Sequence, residues 1–502
     1  MLGGLWGDTR GNTMVTFAVM LVPLMGVAGG AVDYNRVTAA RVTLQDAADA
    51  ATIAGARAIE LGRTVGGDPA TAARQSFEAN FTHRDAKITR FAVAADKTQV
   101  TVDATVEVKM LFLGILGIAT MEQSVRSESQ VSTTTLEIAL TLDNTGSMDG
   151  TRMATLKSAS NAFVDQLARQ VVGEDRLKFA VVPFSAFVNV GPKYRGAPWI
   201  DNDARSNRAN SNFNAALNRF SLYDKFAIAW PGCVETRPSP YDTTDAVPDA
   251  AKPDTLFVPS FWPDEPDRSA GYSYPNDYIP DHIGGGDIAR LINASKYNLA
   301  TTIDRSNSTF FSNYRRPKGP DFGCDITPVT PLTASIPTVK TALDAMKAFG
   351  STNIPEGLAW GWRMLSPEMP FTEGRSYGTK DNQKIIVLMT DGANSISTYG
   401  TGTAGQYSSV DYPYHDYTGP TRGKNLRTNL DAKALEVCSN IKAKGIEIFT
   451  IGLELGTDTT AKDLLAACAT DSGHFYDAVE VAQLSPIFDK IAQRIGRLRL
   501  AR

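Results

Sequence analysis

Asp143-Asn144-Thr145-Gly146-Ser147-Met148 follows directly on the apolar run Leu136–Leu142. One carboxylate and two hydroxyls at alternate positions of a turn present hard oxygen donors to a single point, as Mg²⁺, Mn²⁺ or Ca²⁺ requires. Gly146 is expected to let that turn close tightly. The plain alternative is a helix N-cap, since Asp, Thr and Ser all cap well. Two further segments shift the balance. Gly350-Ser351-Thr352-Asn353 precedes the helical stretch IPEGLAWGWRML, and Thr390-Asp391-Gly392 follows the apolar run KIIVLM. The candidate ligands are therefore Asp143, Thr145, Ser147, Thr352 and Asp391, and the expected cofactor is a divalent cation: Mg²⁺ first, with Mn²⁺ and Ca²⁺ as alternatives.

Other chemistries find less support. The sequence offers no Ser-His-Asp set, G-x-S-x-G elbow, P-loop or paired-carboxylate cleft. None of the four cysteines forms a C-x-x-C pair, and the four His are scattered at 83, 282, 415 and 474, which argues against zinc. His474, in SGHFYDA, is expected to be a partly exposed loop residue. A cation with few carboxylate ligands keeps an open position for a partner's carboxylate, which suits binding better than catalysis, so the chain is expected not to be an enzyme. A net charge of −4 without a long Lys/Arg cluster argues against nucleic acid as partner. With 43% hydrophobic and 21% charged residues, wholesale disorder is not expected.

Strands alternating with helices must position these residues. Leu136–Leu142, Leu177–Val182, Lys384–Met389 and Ile446–Ile451 read as buried strands. Met153–Ala168, Ile354–Leu365, Ala432–Lys444, Ala461–Cys468 and Leu484–Leu498 read as helices. The pattern predicts an α/β fold, a mostly parallel sheet flanked by helices, with ligands at the carboxyl ends of the strands. Between about 191 and 333 no period is sustained, yet Trp199, Trp230 and Trp262 argue against disorder, so this is read as a long ordered insertion. A second loop spans Ser395 to Asn425. Both loops are expected to flank the site.

Upstream, Met14 to Val32 carries no charge and as a helix would reach roughly 28 Å, enough to cross a bilayer. Its length favours a retained anchor over a cleaved signal. Arg10 on one side and Arg36 and Arg41 on the other leave the charge count ambiguous for orientation. The expected organisation is 1–13 cytoplasmic, 14–33 transmembrane, 34–134 a helix plus a small α/β or β-rich region, and 135–502 the α/β domain. Val37–Ile59 reads as a helix continuing from the membrane, with Val42, Ala50 and Ile53 near one face. Gly62–Asp68 breaks it, Thr71–Phe81 is helical, and Lys87–Val131 is strand-like. The apolar LFLGILGI at 111–118 is expected to be a buried turn. In an exported chain Cys233, Cys324, Cys438 and Cys468 suggest two disulfides, with three pairings open; a Cys233–Cys324 bridge would staple the insertion.

Taken together, Asp143, Thr145, Ser147, Thr352 and Asp391 in this order resemble the metal-ion-dependent adhesion site of von Willebrand factor A (vWA) domains. Thr145 departs from the commoner Ser but keeps the hydroxyl. The resemblance implies a Rossmann-like vWA domain whose metal coordinates an acidic group on a protein ligand. Arg10-Gly11-Asn12, the apolar run, Asp33-Tyr34 and LQDAADAATIAGA look like the N-terminus of TadE/TadG-like pilus-assembly proteins. That family implies a role in Flp-type (tight adherence) pili or surface attachment, pilus or envelope components as partners, and a single-pass inner-membrane protein with its body periplasmic or at the cell surface. The Cys233–Cys324 and Cys438–Cys468 pairings suit such an exported domain. The two resemblances cover 8–60 and about 135–500. The alternative is a structural, pilin-like subunit with a purely structural metal.

Overall fold

In the computed structural model, which describes residues 12–60, 68–81, 86–94, 99–130, 134–171, 175–267, 274–310, 314–396, 406–412 and 426–500, the apolar run opens one unbroken helix, α1 (Asn12–Glu60). Pro23 sits within it. From Met14 to Val27 the large apolar side chains described point outward, Phe17, Val19 and Leu24 each being about two-thirds exposed. This helix is long and apolar enough to cross a membrane. The chain divides into two compact units, Met1–Thr133 and Thr134–Arg502.

In the first unit, α2 (Pro69–Asn80) starts at Asp68, whose carboxylate accepts the Thr71 N–H. Residues 61–67, where the helix break is expected, lie outside the described residues. Strands β1 (Ala86–Val93), β2 (Gln99–Lys109) and β3 (Thr120–Gln130) form an antiparallel sheet in that order. Alternate residues of β2, Val102, Ala104, Val106 and Val108, are buried as period-two patterning requires. They meet Val37, Ala40, Leu44, Ala47, Ala48 and Ala51 of α1 and Phe77 of α2. The expected face of α1 is corrected here, because Val42 and Ile53 are 56% and 61% exposed. Alanines, having no bulk, let the sheet approach the helix closely, so a mostly alanine stripe is buried while Val42 and Ile53 are not. The 111–118 segment is also corrected: it is a turn, but Leu111, Ile115 and Ile118 are exposed.

The second unit is built on a six-stranded mixed sheet. Its strands are β4 (Thr135–Asp143), β5 (Leu177–Phe184), β6 (Thr330–Thr333), β7 (Asn382–Thr390), β8 (Glu447–Leu453) and β9 (Phe475–Ala478), in the order 6-5-4-7-8-9. All neighbours are parallel except the edge strand β6. Central strands are apolar on both faces. Ile138, Leu140 and Leu142 pack with α3 (Thr151–Gln170), α4 (Ile336–Ala345) and α8 (Leu484–Leu500), whereas Ala139, Ile386 and Leu388 pack with α5 (Ile354–Leu365), α6 (Leu426–Ala443) and α7 (Thr459–Cys468). The chain runs from β4 outward to β5, then crosses to β7 on the other side of β4. That reversal is the place where open α/β sheets leave a crevice at the carboxyl ends of their strands.

The stretch 191–333 has little periodic structure but a dense interior. Trp199 packs on Phe257, and Trp262 on Phe322 and Tyr407. Cys233 is bonded to Cys324, and Cys438 to Cys468. Buried charges are matched: Arg208 and Arg219 face Glu235, and Lys296 lies 2.7 Å from Asp264. Aromatic burial, one disulfide and paired charges order this segment in place of backbone ladders. Its last residues, Thr330–Thr333, are not loop but the edge strand β6.

Candidate metal centre

Asp143 ends β4 and Asp391 follows β7, and these neighbours are in register, Leu142 against Met389. Burial and alternation thus bring the two carboxylates to the same end of adjacent strands. Thr352 arrives separately. The Thr352 and Ser395 backbones exchange hydrogen bonds of 2.7 and 2.9 Å, the Gly350 carbonyl accepts the Gly146 N–H at 2.9 Å, and Asn394 Oδ1 accepts the Ile354 N–H at 2.8 Å. Each of the three segments is therefore tied to another by backbone. Gly350 has φ +88°, a conformation that favours glycine, with Ser185 close against it. Gly146, by contrast, has no positive φ, and a Cβ there would meet only the Gly350 carbonyl at 3.6 Å. The expected need for glycine at 146 is not found; the strained turn is the facing one.

The side chains form a continuous chain of contacts. Asp143 Oδ1 accepts the Thr145 N–H at 2.8 Å and its Oδ2 the Thr390 hydroxyl at 2.6 Å. Thr145 Oγ1 lies 3.0 Å from Ser147 Oγ, which donates to Asp391 Oδ1 at 2.7 Å. Ser147, Thr352 and Asp391 line one open cleft of about 510 Å³. Asp143 and Thr145 are buried behind it, while Ser147 is exposed. Burial, and then the nearby Asp391, push the Asp143 carboxyl up to about 7. Asp391 is also raised, its burial outweighing the hydrogen bond from Ser147 and the charge of Arg152.

The capping alternative does not describe this turn. Helix α3 begins at Thr151, its N-cap is Gly150, and no side chain caps it; Thr145 at the head of the short 146–148 turn makes no capping bond either. Asn353, not Thr352, caps α5 by accepting the Glu356 N–H. The hydroxyls of Thr145 and Ser147 are left to face each other, and Ser147 and Thr352 line the cleft.

Arg152 was not singled out from sequence. Its guanidinium donates to Asp391 Oδ2 and to the Ser147 carbonyl, each at 3.0 Å, and to Glu454 at 2.7 Å. A basic residue five positions after Ser147, on the first turn of α3, was the available signal. Thr390 was part of a quoted motif but not of the ligand set, although its hydroxyl fixes Asp143. The loop expectation needs correction. Among the described residues the cleft is lined by Gly392–Ile396, Leu426 and Arg427, at the two ends of the second loop, and by none from 191–333. The insertion instead supports α5 from behind: Thr236 donates to Glu356 at 2.7 Å and its hydroxyl oxygen lies 3.0 Å from that of Ser409, and Asn353 donates to Ser409 at 2.9 Å. Most of residues 397–425 lies outside the described residues. His474 is corrected too: it is buried against Phe449, with Nδ1 2.7 Å from Asp471.

The donor set fits a hard divalent cation. It comprises two carboxylates and three hydroxyls, all oxygen; among the described residues no three His, Cys, Asp or Glu side chains converge. Two buried acids drawn together, one of them held near neutrality, are what a cation between them would relieve.

Residues 11–58 match the family described as "Putative Flp pilus-assembly TadE/G-like". No curated protein matches the chain in sequence. Among solved structures, the von Willebrand factor domain of the type V pili tip protein Mfa5 from Porphyromonas gingivalis is similar at 13% identity, covering 72% of this chain and 95% of that one, with a TM-score of 0.34. The pilus adhesin SpaC from Lactobacillus rhamnosus GG gives 14% identity, 82% and 34% coverage and a TM-score of 0.34. The pilus adhesin RrgA from Streptococcus pneumoniae gives 10%, 82% and 48%, and 0.33. At such scores neither mechanism nor ligand is carried across.

Proposed function

We propose that this chain is a membrane-anchored binding protein of Flp-type pilus assembly or surface attachment. In this reading its C-terminal unit is a vWA-type domain holding a divalent cation, Mg²⁺ first, through Asp143, Thr145, Ser147, Thr352 and Asp391. The observation that carries it is that Ser147, Thr352 and Asp391, from three separate segments, line one open cleft at the switch point of the sheet, with Asp143 and Thr145 bonded into the same network behind it. When bound, the cation supplies a Lewis-acidic position for an acidic group of a protein ligand. The chain's own residues do the rest. Thr390 and the Thr145 N–H orient Asp143; Arg152 and Ser147 orient Asp391; the Thr352–Ser395 pairing sets the far wall. Support for the pilus context comes from the family match at 11–58, and support for an exported, inner-membrane-anchored body comes from α1 and the two disulfides. A pilin-like subunit with a structural metal is favoured by the single long helix α1, and one experiment separates the readings.

The test is calorimetric titration of Mg²⁺, Mn²⁺ and Ca²⁺ into the soluble fragment from residue 36 onward, beside its Asp143→Ala variant. The expected result is binding by the parent that the folded variant loses, together with loss of pilus-dependent attachment in cells carrying the variant. A folded parent that takes up no cation sinks the metal reading. Cation loss with attachment intact would transfer the metal to a structural role.

A further inference from the structure

The expectation of a buried turn at 111–118 fails in an informative way. Residues 110–119 (MLFLGILGIA) carry no charge, yet Leu111, Ile115 and Ile118 are 58%, 83% and 46% exposed and Phe112 and Met121 are 39% exposed. A soluble loop rarely leaves such a cluster in water. This one is fastened to α1. Asp33, fully buried, accepts the backbone N–H groups of Leu111, Phe112 and Leu113 at 2.8–2.9 Å. Phe112 lies so close to Gly29 that a Cβ there would fall 2.5 Å from it, and Leu113 reaches Gly30. Gly29 and Gly30 belong to the apolar run that ends at Val32.

With a rise of about 1.5 Å per residue, the loop is therefore pinned within roughly 5 Å of the end of the membrane-crossing segment, on its body side. Non-helical backbone at that depth is tolerated only if its polar groups are satisfied. Here seven N–H groups of the loop have partners inside the unit. Besides the three bonds to Asp33, the N–H of Met110 goes to Ala119, Ile115 to Phe112, Gly117 to Gly114 and Ile118 to Leu113. Polar anchors sit just beyond: Tyr34 is 71% exposed, and Arg36 donates to the Lys109 carbonyl at 3.1 Å. Aromatic and basic residues at that level are typical of the boundary between lipid and water.

We propose that the 110–119 loop is a second membrane contact: its apolar side chains enter the lipid beside the exit of α1, seating the first unit on the bilayer surface. The occupant of this apolar face is the bilayer, by continuity with the exposed apolar length of α1. The assignment rests on α1 crossing the membrane.

The test uses the full chain in nanodiscs of phosphatidylethanolamine and phosphatidylglycerol, with one nitroxide at a time on Ile115→Cys, Gln130→Cys or Val19→Cys. The four native cysteines are all in disulfides, so each label has one thiol to choose. Gln130 is exposed at the opposite end of β3, and Val19 lies within the apolar run. Power-saturation accessibility to oxygen and to a water-soluble nickel chelate then reads depth. The expected result is that position 115 shifts toward oxygen as position 19 does, while position 130 favours nickel. Nickel access at 115 equal to that at 130 overturns the proposal and leaves the anchor standing. Protection of 115 from both reagents also overturns it, in favour of a protein partner on this face. Nickel access at 19 removes the anchor itself, and this proposal with it.

Discussion

Asp143 concentrates the chemistry of the site in one carboxyl. Buried, beside Asp391, it is held at about 7, well above an ordinary carboxylate. Because the folded-state value is raised, the folded protein keeps a proton that the unfolded chain has released between about pH 4 and pH 7. Without cation, stability is therefore expected to fall as pH rises through that window. A cation must displace that proton, so its affinity is expected to drop by about tenfold per pH unit below 7 and to level off above. Calorimetry at pH 6, 7 and 8 checks this, and an affinity flat across the series would mean that no ligand gives up a proton on binding in that range. Ser147→Ala leaves both carboxylates in place but removes one of the two donors to Asp391, Arg152 being the other. It is expected to weaken cation binding by at least tenfold with little change in thermal stability, since the residue is exposed.

Elements place these residues through the sheet, and the sheet is fixed at its other end by charge. Glu137, buried at the start of β4, receives Lys384 Nζ at 2.5 Å and, from Arg375, both a guanidinium contact at 2.9 Å and the backbone N–H at 3.0 Å. Burial pulls the Lys384 ammonium below its ordinary value despite that partner. Replacing Glu137 with Ala leaves a buried cation uncompensated, and about 3 kcal/mol of stability should be lost. Urea unfolding measures it; a loss below about 1 kcal/mol would mean that water replaces the carboxylate. This prediction concerns register: Glu137 pairs across from Lys384, so the same contact that costs desolvation also aligns Leu142 with Met389 and hence Asp143 with Asp391.

At the scale of the whole molecule the insertion is held by a cross-link more than by ladders. Cys233–Cys324 closes a sequence separation of 91 residues and Cys438–Cys468 one of 30. By loop-closure entropy the first is worth about 4–5 kcal/mol and the second about 3–4. The Cys233→Ser/Cys324→Ser pair is expected to destabilise more than Cys438→Ser/Cys468→Ser, and to open 191–333 to protease first, because that segment has few backbone ladders to resist local opening. Limited proteolysis with mass spectrometry distinguishes the two; cleavage starting elsewhere would assign the insertion's order to its aromatic core instead.

The sequence alone determined where periodic structure lies, because hydrophobic spacing reports it directly. Leu136–Leu142, Lys384–Met389, Ile354–Leu365 and the single long N-terminal helix are found where their patterns put them. Of the five oxygen donors it named, Ser147 and Asp391 are in hydrogen-bond contact and share one cleft with Thr352, while Asp143 and Thr145 lie buried behind them. Contacts with no local signature were decided by tertiary structure. Which stripe of α1 is buried depended on how closely a sheet can approach alanine, so Val42 and Ile53 were misjudged. The 111–118 turn looked like core because apolarity cannot tell protein interior from an outward-facing patch; Asp33, 78 to 80 residues away, holds it at the membrane end. Arg152, Thr390 and Asn394 joined the site for the same reason: hydrogen bonds across 239, 247 and 40 positions leave no periodic trace in a chain.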